Sequence, residues 1–393
     1  MSKCEVIWFR NSHDHSVHYF KLGLMRLARQ GEIRFREMRN EEAGELLPAK
    51  LREHKHRRTA TLSIREGNGK PRIVVLDGED SIFQLSPLIE SCDRYFSCTY
   101  RRRFFEGEDF DLALPWQTED ELSHYRDRYR KLQQDYRAHM PKARPLMPIG
   151  PDLEWTGPVG GLERKLQSLR HRISKLRAPW LDWQPQHESF EKRWSHFERL
   201  RALPVDYDVS LKDSLWGWPR HRTALHRELA RHADRYQIRT DLTFRNPLDF
   251  ELGQHPAPDP KDYPMKSGGG VTGNYEEQIA RSRLGVFATG FHYGCRSIVT
   301  LAWLLGVRTF SDPLSFESIY DFDELGGLSI HRSGDWSELA QELETARNEA
   351  PSARLERQAT FDRIASPERA ARWILEETLA GTVSGRSAHA AAR

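Results

Sequence analysis

Residues 275–313, YEEQIARSRLGVFATGFHYGCRSIVTLAWLLGVRTFSDP, pass from a short helical pattern into an apolar strand, a polar loop, a second helix and another strand. Gly306 closes the second helix, as glycine does at a helix C-terminus. The loop between Thr289 and Arg296 therefore sits at the carboxyl edge of an α/β sheet, where such folds take ligands. No other loop of the chain sets so much polar and cationic chemistry between two apolar elements.

Alternating strands and helices continue outward in both directions. Towards the N-terminus, Glu5–Phe9 reads as a strand, and Ser16–Arg29 has helical apolar spacing through Val17, Phe20, Leu24 and Leu27. Ile33–Met38 is a second strand and Glu41–Lys55 a charged helix. Arg72–Leu76 is a third strand of continuous apolar type, and a helix leads to a fourth near Tyr95–Thr99. Strands separated by helices imply parallel sheets. Residues 118–204 differ. Charged helical stretches at Glu119–His139 and Leu162–Leu176, with turns at Trp155–Pro158 and Arg177–Trp180, read as a helical insertion or bridge. Alternation resumes with Asp208–Asp213, then a helix over Arg220–Arg235 that Pro219 opens. A long loop at Asn246–Gly273 contains Gly268–Gly270, and loops of that length are usually functional. Ser366 caps a last helix. The expected fold is α/β, with two Rossmann-like domains facing a cleft. The expected boundaries are 1–117, the 118–204 insertion, 205–350, terminal helices over 351–380, and a disordered tail at 381–393.

Composition narrows the partners. A chain of 393 residues with 38% hydrophobic residues can bury two cores, and a formal charge of +3 gives no footprint for nucleic acid. Basic runs such as His54–Arg58 and Arg101–Arg103 read as solvated faces. The four cysteines form no CxxC pair, which fits a reducing, cytoplasmic setting. The N-terminus enters a strand without a signal-peptide core. No apolar run reaches the roughly 20 residues a membrane span needs, so membrane contact is peripheral at most. GxxxxGK[ST], GxGxxG after the first strand and GxSxG are all absent, which argues against P-loop, NAD-dependent and serine-hydrolase chemistry.

Three constellations carry chemistry. In GFHYGCR, residues 290–296, backbone amides ahead of a helix can hold an anion. Arg296 adds a charged clamp, His292 a donor, and Gly290 and Gly294 allow close approach. A plain strand-to-helix turn with a surface arginine is the other reading. His13-Asp14-His15 follows the first strand, where Asp14 or His15 suits a general base, Asp14 a helix cap, and the imidazoles a metal. Asp77, Glu79 and Asp80 end the third strand and read foremost as caps of the next helix, with binding of a metal or of acceptor hydroxyls as the other reading.

The order Ser282-Arg283, apolar strand, glycine loop, Arg296, apolar helix, Gly306 and strand resembles the donor-binding half of GT-B glycosyltransferases, particularly bacterial exostosin-like sugar transferases. Trp216–Arg220 resembles the opening of that half, and Asp77–Asp80 followed by CDRYFSCTYRR resembles a segment of the acceptor half. The resemblance implies a GT-B fold and transfer from a nucleotide-sugar donor to a glycan or polysaccharide-precursor acceptor, with no metal or other cofactor. It places the donor on Arg220, Lys266, Gly290, His292, Gly294 and Arg296, and the base at Asp14 or His15. Family members grip the donor ribose with a glutamate where this chain has Leu301, and Glu317 is the substitute. Two other readings stand beside it. One is a metal-dependent hydrolase built on His13 and His15 with His292 or His331. The other is a non-catalytic nucleotide- or sugar-binding protein.

Overall fold

The computed structural model describes residues 4–10, 14–53, 58–154, 183–215, 217–243 and 274–380, and the backbone of 266–267. His13, the Leu162–Leu176 helix, the turns at 155–158 and 177–180, the Gly268–Gly270 run and the 381–393 tail lie outside these residues.

Two six-stranded sheets carry the chain. In β1 (Cys4–Arg10), Val6, Ile7, Trp8 and Phe9 are buried in succession, the pattern of a strand covered on both faces. It pairs in parallel with β2 (Ile33–Arg39) and antiparallel with β3 (Thr59–Glu66). β3 then pairs antiparallel with β4 (Arg72–Asp77), and β5 (Arg94–Ser97) and β6 (Ala143–Pro145) follow in parallel. The reversed β3 corrects the expected all-parallel sheet. Its link to β4 is a tight turn closed by the Gly69 amide on the Glu66 carbonyl (2.9 Å), too short for the crossover that parallel strands require. β6 also comes from 118–204, the stretch read as a helical insertion or bridge, in which no strand is expected.

Helices α1 (His18–Arg29) and α2 (Ala49–Glu53) belong to this half, with α3 (Arg102–Phe105) and α4 (Glu119–Tyr136). The charged helix expected over Glu41–Lys55 shrinks to α2 and two single turns. Gly44, at φ 52°, and Pro48 interrupt it. α4 opens with a capping box, Thr118 bonding the Glu121 amide (3.3 Å) and Glu121 the Thr118 amide (2.8 Å).

After α5 (Gln184–Arg201), the second sheet begins with β7 (Tyr207–Ser214), α6 (Pro219–Arg231), β8 (Ile238–Thr243) and β9 (Lys266–Ser267). α7 (Tyr275–Ala280), β10 (Ser282–Phe287), α8 (Ser297–Leu304), β11 (Arg308–Ser311) and β12 (Leu328–Ile330) complete it. The strand order is β12-β11-β10-β7-β8-β9, parallel except at β9. This is a Rossmann-like order, and its switch point lies between the carboxyl ends of β7 and β10.

α9 (Leu339–Arg347) and α10 (Pro351–Ile364) pack in the second half, and α11 (Pro367–Leu379) returns to the first. Ser366 caps α11 on the Arg369 amide (3.4 Å), as the sequence predicts. α11 lies on α1, where the Tyr19 hydroxyl donates to the Ala365 carbonyl (2.6 Å) and the Trp373 indole to the Pro145 carbonyl (2.9 Å). One apolar cluster runs from β1 and α1 through α5 to α8 and α11, so the halves share a core. Among the described residues, no helix is long and apolar enough to cross a membrane.

Gly23 sets the α1–α11 contact, since a Cβ there would stand 1.9 Å from the Pro367 carbonyl oxygen. Gly23→Ala is expected to lower stability by roughly 1–3 kcal/mol, the cost of overpacking a close contact. Urea denaturation checks this, and an unchanged midpoint would refute close packing at α11.

Candidate functional site

The loop that follows β10 is built by glycine geometry. Gly290 and Gly294 exchange backbone hydrogen bonds of 2.9 and 3.2 Å, while His292 and Tyr293 take left-handed φ values of 52° and 62°. The loop then docks on the first sheet. The Cys295 amide donates to the Asp80 carbonyl (2.6 Å), and the Ser81 hydroxyl donates to the His292 carbonyl (2.5 Å). A Cβ on Gly294 would lie 3.0 Å from the Asp80 carbonyl oxygen, and one on Gly290 would lie 2.6 Å from that of Gly294. Both glycines serve close backbone approach, but to protein rather than to a ligand.

α8 leaves this loop with its amide end towards the first sheet. Its eight residues are apolar but for Ser297 and Thr300, and Val299 to Leu304 are all buried. The carboxyl end is neutralised by side chains. Arg201 donates to the Leu304 carbonyl (2.8 Å), Arg354 and Gln358 to that of Leu305 (3.2 and 3.0 Å), and Arg357 to that of Gly306 (2.9 Å). Cations there complement the helix dipole. The positive end has no side-chain cap bond.

That positive end forms one wall of a cleft of about 420 Å³. Cys295, Arg296, Ser297 and Ile298 line it from the second sheet. From the first come His15 and Ser16 after β1, Arg58 before β3, Asp80 after β4, and Ile149, Gly150 and Asp152 after β6. The carboxyl edges of both sheets thus open into one space.

Arg296 is held from behind. Its Nη2 lies 3.1 Å from Asp213 Oδ1 at the end of β7, and the buried Arg222 pairs with the same carboxylate and donates to the Thr289 carbonyl (2.9 Å). Burial raises the Asp213 pKa, but the two guanidinium groups outweigh it and the net direction is down. Burial lowers Arg222 and brings the neighbouring His226 to about 4, so His226 is neutral at pH 7. Arg296 Nη1 is buried without a protein partner. Across the cleft, Arg58 Nη1 lies 2.7 Å from Asp80 Oδ2 and 3.6 Å from Glu79 Oε2.

Of the residues expected at the site, His15 and Arg296 line the cleft. Asp14 does not. It is buried, and its carboxylate accepts from the Trp8 indole (2.9 Å) and pairs with His18 Nε2 (3.0 Å). His292 is buried against α4, its Nδ1 2.9 Å from the Tyr125 hydroxyl, and burial lowers its pKa to about 3. Arg220 sits 3.3 Å from Glu121, away from the cleft lining. Glu317 accepts from the Arg102 amide (2.9 Å) and so caps α3. Lys266 lies in β9, and its side chain is outside the described residues. Asp77 is buried and accepts from the Tyr95 hydroxyl and the Glu79 amide (2.9 Å), ordering its own loop, but Ser81 rather than Asp77, Glu79 or Asp80 caps the turn that follows. Sequence reasoning missed Arg58, Asp152, Asp213 and Arg222 as parts of one site.

The described residues include one group suited to a metal, His221, Asp312 and His331, and neither His15 nor His292 belongs to it. Comparison with protein-family models and with curated proteins returned no match.

Burial pushes the Asp14 pKa up, but attraction to His18 and the hydrogen bonds from His18 and Trp8 outweigh it, taking the pKa from 3.8 to about 2. A depressed pKa means the ionised group stabilises the fold fully above about pH 4, and the effect fades as pH falls towards 2. Asp14→Asn is therefore expected to cost roughly 1.5–3 kcal/mol at pH 7, with the gap from wild type closing in acid. Chemical denaturation across pH 2–7 measures it, and a pH-independent gap would contradict the ionised pairing.

Proposed function

We propose that this protein is a glycosyltransferase of GT-B-like architecture that takes a nucleotide-diphosphate sugar in the cleft between its two sheets. One observation carries the reading. Arg296 and the amide end of α8 face Arg58 across a space that both carboxyl edges line. Such a place suits a diphosphate, because fixed positive charge in a partly desolvated site stabilises a departing anion at little reorganisation cost.

The remaining lining fits the sugar end. Asp80 and Asp152 offer acceptors for hydroxyl groups, and Ile149 and Ile298 an apolar surface for a ring face. In the proposed reaction the bond between the anomeric carbon and the diphosphate oxygen breaks, and its electron pair leaves on the diphosphate. The acceptor oxygen bonds to the anomeric carbon and its proton passes to His15. His15 is exposed and lines the cleft, where its imidazole can accept that proton. Asp14, fully engaged by Trp8 and His18, holds the start of α1 in place beneath it.

Calorimetric titration of uridine, guanosine, adenosine and cytidine diphosphates and their hexose conjugates tests the reading. At least one is expected to bind wild type, and Arg58→Gln or Arg296→Gln to weaken it about 10- to 100-fold, the loss of a hydrogen bond to a charged group. His15→Ala is expected to abolish turnover while leaving donor affinity unchanged. Failure of every diphosphate to bind wild type, or equal affinity in both arginine variants, would overturn the assignment.

A further inference from the structure

Behind the cleft, at the same edge of the second sheet, three ligand-type side chains converge from distant parts of the chain. His221 stands in the first turn of α6, Asp312 directly follows β11, and His331 directly follows β12. One ligand atom from each lies within 4.8 Å of the others. Their side chains are 1%, 1% and 0% exposed, so solvent plays no part in satisfying them. We infer that His221, Asp312 and His331 form a binding site for a single divalent transition-metal ion, with zinc the best match.

The charge balance argues for a cation. A buried carboxylate needs a partner charge, since desolvating it alone costs several kcal/mol. Asp312 has His221 as its one ion-pair partner among the described residues, with His221 Nε2 2.9 Å from both carboxylate oxygens. Arg222, a permanent cation close enough to act on Asp312 electrostatically, is committed to Asp213. Two imidazoles and a carboxylate form a donor set that zinc accepts with bonds of about 2 Å.

The outer contacts are those that orient metal ligands. His331 Nδ1 lies 2.9 Å from Glu338 Oε2, an arrangement that places the proton on Nδ1 and leaves Nε2 as the lone-pair nitrogen. Asp312 Oδ2 accepts the Thr289 amide (2.8 Å), which fixes the carboxylate. Trp116 stacks on His221 at 4.1 Å and Trp336 on His331 at 4.1 Å, so aromatic faces hold both rings and close the space. Two contacts would yield to the ion: the His221–Asp312 hydrogen bond and the Gly334 amide on His331 Nε2 (3.1 Å). His221 Nδ1, buried without a partner, is unsatisfied with or without the ion.

The inference is independent of the glycosyltransferase proposal, because no cleft-lining residue is a ligand. The ion would pin α6 to the ends of β11 and β12.

The test is elemental analysis for manganese, iron, cobalt, nickel, copper and zinc on untagged full-length protein purified without chelator. Wild type and His15→Ala are expected to carry about one ion per chain, and Asp312→Asn and His331→Gln less than a tenth of that. A second measurement does not depend on how the variants fold. Cobalt(II) added to chelator-stripped wild type should give visible d–d absorption that saturates at one equivalent and is displaced by zinc. The inference is overturned if wild type retains no metal and cobalt(II) gives no such absorption, which would leave a metal-free His–Asp hydrogen-bond network. Metal lost in His15→Ala but kept in Asp312→Asn would overturn it equally, by placing the ion on the N-terminal loop.

Discussion

Two hydrogen bonds set the geometry of this molecule: the Cys295 amide on the Asp80 carbonyl and the Ser81 hydroxyl on the His292 carbonyl. They join the loop after β10 to the loop after β4 at van der Waals range, and glycine at 294 is what lets the chains approach so closely. With those loops locked, the carboxyl edges of the two sheets face one another. His15, Arg58, Asp80 and Asp152 then look across at Arg296 and the start of α8. The shared core through α5, α8 and α11 supports the same arrangement from beneath.

Electrostatics give the cleft its polarity. α8 is buried from Val299 to Leu304, its negative end is covered by Arg201, Arg354, Arg357 and Gln358, and its positive end opens on the cleft. Arg296 extends that positive end, while Asp213 and Arg222 hold its guanidinium from behind. A carboxylate shared by two arginines leaves net positive charge in a poorly solvated place, and an arriving anion would relieve it.

Much of the framework was legible in the sequence, and the failures have physical causes. β1, β4, β10 and α8 announce themselves by apolar runs or helical spacing, and Ser366 by its cap. β3 escaped notice although Ala60, Leu62 and Ile64 alternate with Thr59, Thr61, Ser63 and Arg65; its small polar face is buried too, and the stretch directly follows a basic run that reads as surface. Missing β3 also hid Arg58, which stands at its start but reads as the end of a basic surface run. β6 is three residues long, below what periodicity can detect. In the site, position along the chain was enough to bring His15 and Arg296 to a carboxyl edge. It could not tell that Gly290, His292 and Gly294 are consumed by packing, nor that Asp14 is held by Trp8 and His18. A polar loop poised for a ligand and one bonded to its own protein share the same composition. The Asp213–Arg222–Arg296 and His221–Asp312–His331 groupings are tertiary, and no local pattern encodes them.

The central claim is that one ligand touches both sheet edges at once. Hydrogen–deuterium exchange with and without the tightest-binding nucleoside diphosphate tests it most directly. The account predicts slowed exchange both in the Cys295–Val299 amides of the second half and in the Ser16–Val17, Thr59–Ala60 or Asp80–Ser81 amides of the first. Protection confined to one half, or located away from both edges, would contradict it.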